Sequence, residues 1–346
     1  MRIAQICPPW LAVPPRGYGG IEWVVSLLAD GLAERGHEVT LFATGDSVTK
    51  ADLAAILPEA PGPDRINDIE LDALHSMFAL RDSRSFDVLH VHAPFAALAG
   101  AAQSGTTTVH TVHGSFTDRM RLLYRQVLDR VWFVAISEAQ RRADAELRYA
   151  GVVHNGIDLD RYPLGARRRE DFVLFLGRAA PEKGWRRAAE TCRRSGDRLV
   201  SAVKIATPEE REEYEARVRP ILPSDAEVHL EVDHETKVDL LRRAKAVLFP
   251  IDWPEPFGLV MAEAMACGTP VIATDRGSVP EVVEDGVTGW ILPVEGYEDA
   301  AAELLGRTGE IDPVACRDRV ARRFSKATMV DGYERAYARA LGGADG

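Results

Sequence analysis

Long apolar runs are missing from this chain. No stretch approaches the roughly 18 consecutive apolar residues of a membrane-crossing helix, and the first residues pass straight into a strand pattern, Arg2-Ile3-Ala4-Gln5-Ile6, without a signal-peptide core. A cytoplasmic protein is the default expectation. Basic residues are in deficit, with 42 Lys and Arg against 53 Asp and Glu, a net charge of −11. That balance argues against nucleic acid as a partner, because phosphate backbones call for a basic face. Cysteine is scarce: Cys7, Cys192, Cys267 and Cys316 form no C-x-x-C pair, so neither a zinc site nor a redox motif is suggested and the thiols read as small buried hydrophobes. Internal repeats and low-complexity tracts are absent as well.

What is present is an alternation of strand and helix patterns. The 346 residues exceed one ordinary core and suit two α/β domains of about 150 residues each. In the first half, strands are expected at 3–7, 39–43, 87–92, 107–112 and 132–136. A Pro- and Gly-rich loop at 8–19 precedes a helix whose stripe is Ile21, Val24, Val25, Leu28 and Leu32. Segment 47–67 reads as a polar excursion and 70–80 as a short helix. Segment 155–169, with Gly156, Pro163, Gly165 and Arg167-Arg168-Arg169, breaks the rhythm and reads as a linker. A strand at 172–176 opens the second half, and others follow near Leu199, Val228, Val247, Val271 and Trp290. A helix pattern at 325–341 ends the chain. Such βα alternation predicts two Rossmann-like, doubly wound parallel sheets, with ligands in a cleft at the carboxyl ends of the strands.

Two segments of the second half carry chemistry. Gly177-Arg178-Ala179-Ala180-Pro181-Glu182-Lys183-Gly184 follows a strand and delivers two cations between glycines, natural partners of a leaving diphosphate. Glu255-Pro256-Phe257-Gly258-Leu259-Val260-Met261-Ala262-Glu263 opens a helix expected from Phe257 to Cys267. Its free N–H groups and dipole attract phosphate, and Gly258 lets the phosphate approach closely. The helix is apolar all round except for Glu263, which therefore needs a partner: a ligand hydroxyl, or a structural bond to a backbone amide.

These motifs, with Glu263-Ala-Met-Ala-Cys-Gly-Thr-Pro-Val-Ile, Gly277-Ser278-Val279-Pro280-Glu281 and Asp285-Gly286-Val287-Thr288-Gly289, resemble those of family 4 (group 1) glycosyltransferases of the GT-B fold. The likeness spans nearly the whole chain and is densest over 172–292. It implies an acceptor-side domain over 1–160, a nucleotide-sugar donor domain over 161–324, and a helix over 325–346 packing back on the first domain. It implies a retaining, metal-independent transfer of a sugar from a nucleoside diphosphate, UDP or GDP foremost, to a hydroxyl acceptor, with no cofactor and no metal ligands. Arg178 and Lys183 would stabilise the departing diphosphate, Glu255 would touch the donor sugar, and Glu263 would hold the ribose hydroxyls. Gly177, Phe257, Gly258 and Leu259 would line the donor site.

In the first half, Gly19 and Gly20 of Gly17-Tyr18-Gly19-Gly20 would flank the donor phosphate by the same resemblance, and His113 would lie beside the reacting sugar. On its own, His113 reads as a satisfied histidine at a strand end. Glu22 and Trp23 point either toward an acceptor or into solvent at a helix start. His90 and His92, two apart, lack a third metal ligand and read as structural or cleft-lining groups. The basic, apolar segment 119–125 reads as a surface helix packed on the sheet rather than a peripheral membrane contact. The opening 8–22 resembles a subgroup that decorates secondary metabolites, oligosaccharide antibiotics among them. Alternatives are a GT-B nucleotide-sugar epimerase and a non-catalytic nucleotide-sugar binding protein. Relatives usually carry a glycine-rich turn where this chain has Val203-Lys204-Ile205, which leaves the donor base unassigned.

Overall fold

The computed structural model describes residues 1–17, 19–93, 95–165 and 169–342. Tyr18, from the glycine loop, and Arg167 and Arg168, from the expected linker, lie outside the described residues. Contact density divides the chain into two units: Met1–Gly156 with the chain from Lys326 onward, and Ile157–Ser325.

The first unit is a parallel sheet of β1 (Arg2–Ile6), β2 (Glu38–Phe42), β3 (Asp52–Ala54), β4 (Val88–Val91), β5 (Thr107–Val112), β6 (Val131–Ala135) and β7 (Tyr149–Val152). The spatial order is β3-β2-β1-β4-β5-β6-β7. Its central strands are rich in Val, Ile and Thr and buried on both faces, so they read as continuous runs and not as alternating patterns. The edge strands β3 and β7 add to the five expected from the sequence. Asp-Leu-Ala inside a polar stretch carries no strand signal of its own and is recruited by pairing with β2. The helix Lys326–Gly342 packs on β5, β7 and the helix Gly20–Glu34, burying Met329, Val330, Tyr333, Ala336 and Tyr337. The helix Asp118–Arg125 buries Tyr124, and Arg121 and Arg125 pair with the buried Asp144 at 2.9 and 2.6 Å.

The second unit is a parallel sheet of β8 (Phe172–Arg178), β9 (Arg198–Lys204), β10 (Glu227–Leu230), β11 (Ala246–Phe249), β12 (Val271–Thr274) and β13 (Gly289–Leu292). Its order is β10-β9-β8-β11-β12-β13. Behind β8, Trp185 stacks between Phe175 and Tyr214, and its indole N–H donates to Ser201 Oγ at 2.9 Å. Arg169 is not linker-like: its guanidinium donates to the main-chain carbonyls of Arg242 and Cys267 within this unit.

Each sheet reverses its winding once, between β1 and β4 and between β8 and β11. Loops leaving such neighbouring strands diverge to opposite faces, which opens a crevice at their carboxyl ends. The four cysteines are buried and unpaired. No helix among the described residues is long and apolar enough to cross a membrane.

Candidate active site

At the β8/β11 reversal of the second unit, two loops are locked together by main-chain contacts. Gly177 and Arg178 finish β8 and do not open the loop. A single turn, Pro181–Lys183, then ends at Gly184 with φ 78°. A Cβ there would lie 2.0 Å from the Pro250 carbonyl oxygen, so only glycine permits the approach. The Asp252 N–H donates to Glu182 O at 2.9 Å. This register brings Lys183 Nζ to 2.7 Å from Glu255 Oε2 and 4.2 Å from the centre of the Trp253 ring. Trp253 Nε1 donates to the same Oε2 at 3.0 Å, and the Ser278 N–H donates to Glu255 O at 2.9 Å. Glu255 is buried and Lys183 half-buried. An ammonium has three donors, so Lys183 can hold Glu255 and still meet a phosphate oxygen.

The neighbouring helix is Leu259–Ala266, beginning two residues later than the sequence suggested. Phe257 is instead a core residue, edge-on to Phe324 at 5.6 Å. Gly258 caps the helix at φ 76°, where a Cβ would come within 2.5 Å of Met261 Cε. Gly258, Leu259 and Val260 are half-exposed, whereas Met261–Ala266 are buried. The Met261 N–H is taken by Gly258 O at 3.0 Å, but the Leu259 and Val260 N–H groups have no hydrogen bond among the described residues and no acidic side chain in the turn to occupy them, which is the arrangement that binds anions.

Glu263 has a partner of a kind the sequence did not suggest. Its Oε1 accepts from Tyr162 Oη and from Lys237 Nζ, both at 2.6 Å, and Lys237 Nζ also donates to Tyr162 Oη at 3.1 Å. Burial, then the Glu263 charge, push the Tyr162 phenol far above its ordinary range, so it stays a donor. Both bonds converge on Oε1, leaving Oε2 with no hydrogen bond among the described residues. Arg178 is anchored by the buried Glu210, whose other oxygen accepts from the Ala206 N–H at 2.6 Å. Lys204 stands opposite Arg178 in the β8/β9 register. Tyr162, Lys237, Trp253 and Glu210 were not singled out from the sequence. Tyr162 sat in an apparent linker, and Glu210 is one carboxylate in the acidic helix Pro208–Glu213.

His113, Gly19 and Gly20 belong to the first unit. Gly20 begins the helix Gly20–Glu34 and Gly19 caps it. Glu22 is not at a solvated helix start: it is 6% exposed, and desolvation lifts its carboxyl to about 7. His113 follows β5, is half-buried, and has Nε2 2.8 Å from His92 Nδ1. Desolvation lowers its pKa to about 3, so the ring is neutral at neutral pH. His90 and His92 are both buried, with ring centres 4.0 Å apart. Among the described residues no group of three or more His, Cys, Asp or Glu side chains could hold a metal ion.

Residues 157–308 match the family described as glycosyl transferases group 1, and residues 18–161 match glycosyltransferase family 4. The phosphatidyl-myo-inositol mannosyltransferase of Mycolicibacterium smegmatis is 31% identical over 341 residues, covering 88% of this chain and 84% of the relative. Among solved structures, AviGT4, a glycosyltransferase involved in avilamycin A biosynthesis, is 29% identical with a TM-score of 0.72, covering 99% of this chain and 98% of that one. Anabaena HepE, solved with UDP and glucose, shares the fold at 19% identity and a TM-score of 0.75, over 98% of this chain and 99% of its own. With two doubly wound sheets, the motif residues at a winding reversal and matches over both halves, the chain belongs to the group 1, family 4 glycosyltransferases of the GT-B fold.

Proposed function

We propose that this chain transfers a glycosyl group from a nucleoside diphosphate sugar to a hydroxyl acceptor, with retention at the anomeric carbon and without a metal ion. The observation that carries this reading is the Lys183–Glu255–Trp253 cluster beside the open first turn of Leu259–Ala266. The bond from the anomeric carbon to the diphosphate oxygen breaks, and its electron pair leaves with the diphosphate. Arg178, Lys183 and the helix start meet that charge, which is the main electrostatic lever. The acceptor oxygen bonds to the same face of the carbon, and its proton passes to the departing phosphate oxygen. Glu255 accepts from sugar hydroxyls, Glu263 Oε2 from the ribose, and His113 lies beside the reacting sugar, with Gly19 and Gly20 near the phosphates. The name of one relative, a phosphatidyl-myo-inositol mannosyltransferase, supports a hexosyl donor.

Thermal melts with UDP, GDP, TDP and ADP test the donor half. One nucleotide is expected to raise the midpoint of the wild type and to do so much less in Lys183→Ala. Lys183→Ala and Glu255→Ala should each lower transfer by roughly two orders of magnitude or more while keeping the wild-type circular dichroism spectrum. Transfer should persist in EDTA, and NMR of the product should show the donor's anomeric configuration. Near-normal transfer by both variants defeats the proposal.

A further inference from the structure

Behind His113 lies a buried chain of hydrogen bonds. His92 Nδ1 faces His113 Nε2 at 2.8 Å, and His92 Nε2 faces Gln5 Oε1 at 2.7 Å. Gln5 Nε2 donates to Tyr337 Oη at 2.9 Å, Tyr337 Oη is 2.7 Å from His90 Nδ1, and His90 Nε2 is 2.8 Å from Thr111 Oγ1. Gln5, His90 and Thr111 come from the adjacent strands β1, β4 and β5, with Gln5 and His90 in direct register. Tyr337 comes from the helix Lys326–Gly342. Gln5, His90, Thr111 and Tyr337 are fully buried and His92 is 2% exposed, so the chain must satisfy itself without bulk water.

Each link dictates the next proton. The Gln5 carbonyl oxygen only accepts, so His92 must carry its proton on Nε2. Its Nδ1 is then bare and must accept, so His113 carries its proton on Nε2. Tyr337, having accepted from the Gln5 amide, donates to His90 Nδ1, and His90 Nε2–H donates to Thr111. His113 Nδ1 is left unprotonated and has no hydrogen-bond partner among the described residues. Rotating the Gln5 amide by half a turn would reverse every proton in the chain.

We infer that Gln5 is a positioning residue: through His92, the orientation of its amide decides which nitrogen of His113 carries the proton, so that His113 presents a hydrogen-bond acceptor, not a donor, to a substrate hydroxyl. The consequence for transfer rests on the proposed function, whereas the proton arrangement does not. The neutral ring required for such a choice agrees with the lowered pKa of His113.

The test reads ring nitrogen shifts in protein labelled with ¹⁵N-histidine at neutral pH, with His113 assigned from the spectrum of His113→Gln. Nε2 protonated and Nδ1 bare is the expected wild-type pattern; the reverse pattern overturns the inference. Gln5→Leu removes the acceptor facing His92 and should move His113 to a mixture of tautomers. Gln5→Glu keeps that acceptor and should restore the wild-type pattern. An unchanged His113 in folded Gln5→Leu overturns the inference. Should that variant not fold, the wild-type pattern alone decides. In transfer, Gln5→Leu should lower kcat/KM roughly tenfold, the cost of one mis-set hydrogen bond in the site. That loss should vanish in a His113→Ala background; an equal loss there means a merely structural role and also overturns the inference. Tautomers that respond to Gln5 in a protein that turns over no sugar nucleotide would leave the relay standing and remove the transferase reading.

Discussion

Glu263 shows what a single buried residue costs and what holds it. A carboxylate 7% exposed in an apolar helix is sustained by one phenol and one ammonium, both within 2.6 Å of Oε1. Removing one member of such a pair leaves the other charge stranded, a loss of several kcal/mol when the pair is fully buried. Here Lys237 retains some exposure, so Lys237→Met is expected to lower stability by about 2–3 kcal/mol. Tyr162→Phe removes a neutral donor to that carboxylate and should cost about 1.5 kcal/mol. Urea unfolding of both variants measures this. If Oε2 takes ribose hydroxyls, both variants should also raise KM for the donor more than they lower kcat, because the ribose is bound alike in ground and transition states. Equal stability losses for the two variants would show that the ammonium supplies no more than a neutral hydrogen bond.

At the scale of elements, the loop after β8 is a rigid fitting. Gly184→Ala puts a Cβ 2.0 Å from the Pro250 carbonyl oxygen at φ 78°, and backbone meeting backbone has no soft rotamer to give way. The variant should lose about 2 kcal/mol or more in urea unfolding and should lose transfer disproportionately, since relief of the clash carries Lys183 away from Glu255. Gly196→Ala, also at positive φ but with open space around it, is the control and should cost only about 1 kcal/mol. Much of this element was legible in the sequence, because glycines flanking two cations after a Val- and Phe-rich strand are a local signal. The central strands were legible for the same reason. Edge strand β3 was not, since Asp52-Leu53-Ala54 becomes a strand only by pairing with β2. Nor were the partners of the motif residues: Tyr162 and Glu263 are 101 residues apart, and Gln5 and Tyr337 are 332 apart. Pattern within an element reveals which residue needs a partner; only the tertiary fold selects it.

Across the whole molecule, the two units differ in their response to acid. Burial lowers His75 and His110 to about 4 and His113 to about 3, and holds His90 and His92 well below the ordinary histidine value. All five lie in the first unit. Unfolded, they titrate near 6.5, so below that pH the unfolded chain binds more protons and stability falls. Their contribution is complete above pH 6.5 and is lost as pH drops toward 4 and 3, at up to about 1.4 kcal/mol per pH unit for each histidine. Glu22 acts in the opposite sense: its carboxyl, lifted to about 7, favours the folded state most fully below 4.5, and that benefit is lost as pH rises through 7. Asp72, raised by the same cause, acts in the same sense as Glu22, but two carboxyls do not offset five imidazoles. In the second unit the histidine lowered by burial is the half-buried His234. Paired carboxylates such as Glu34 and Glu190, held below their ordinary range, weaken only under about pH 4.5, which leaves pH 5 to 6.5 as a window in which histidine dominates. Hydrogen exchange followed by mass spectrometry at pH 7.5 and 5.2, corrected for intrinsic rates, should therefore show peptides of β1, β4, β5 and the C-terminal helix losing protection before those of β8 and β11. Replacing His75 with Leu should narrow the difference, because one of the five protonation penalties is then gone. Protection lost first from the second unit would mean that the buried imidazoles are hydrated in solution and that the network behind His113 is not closed to water.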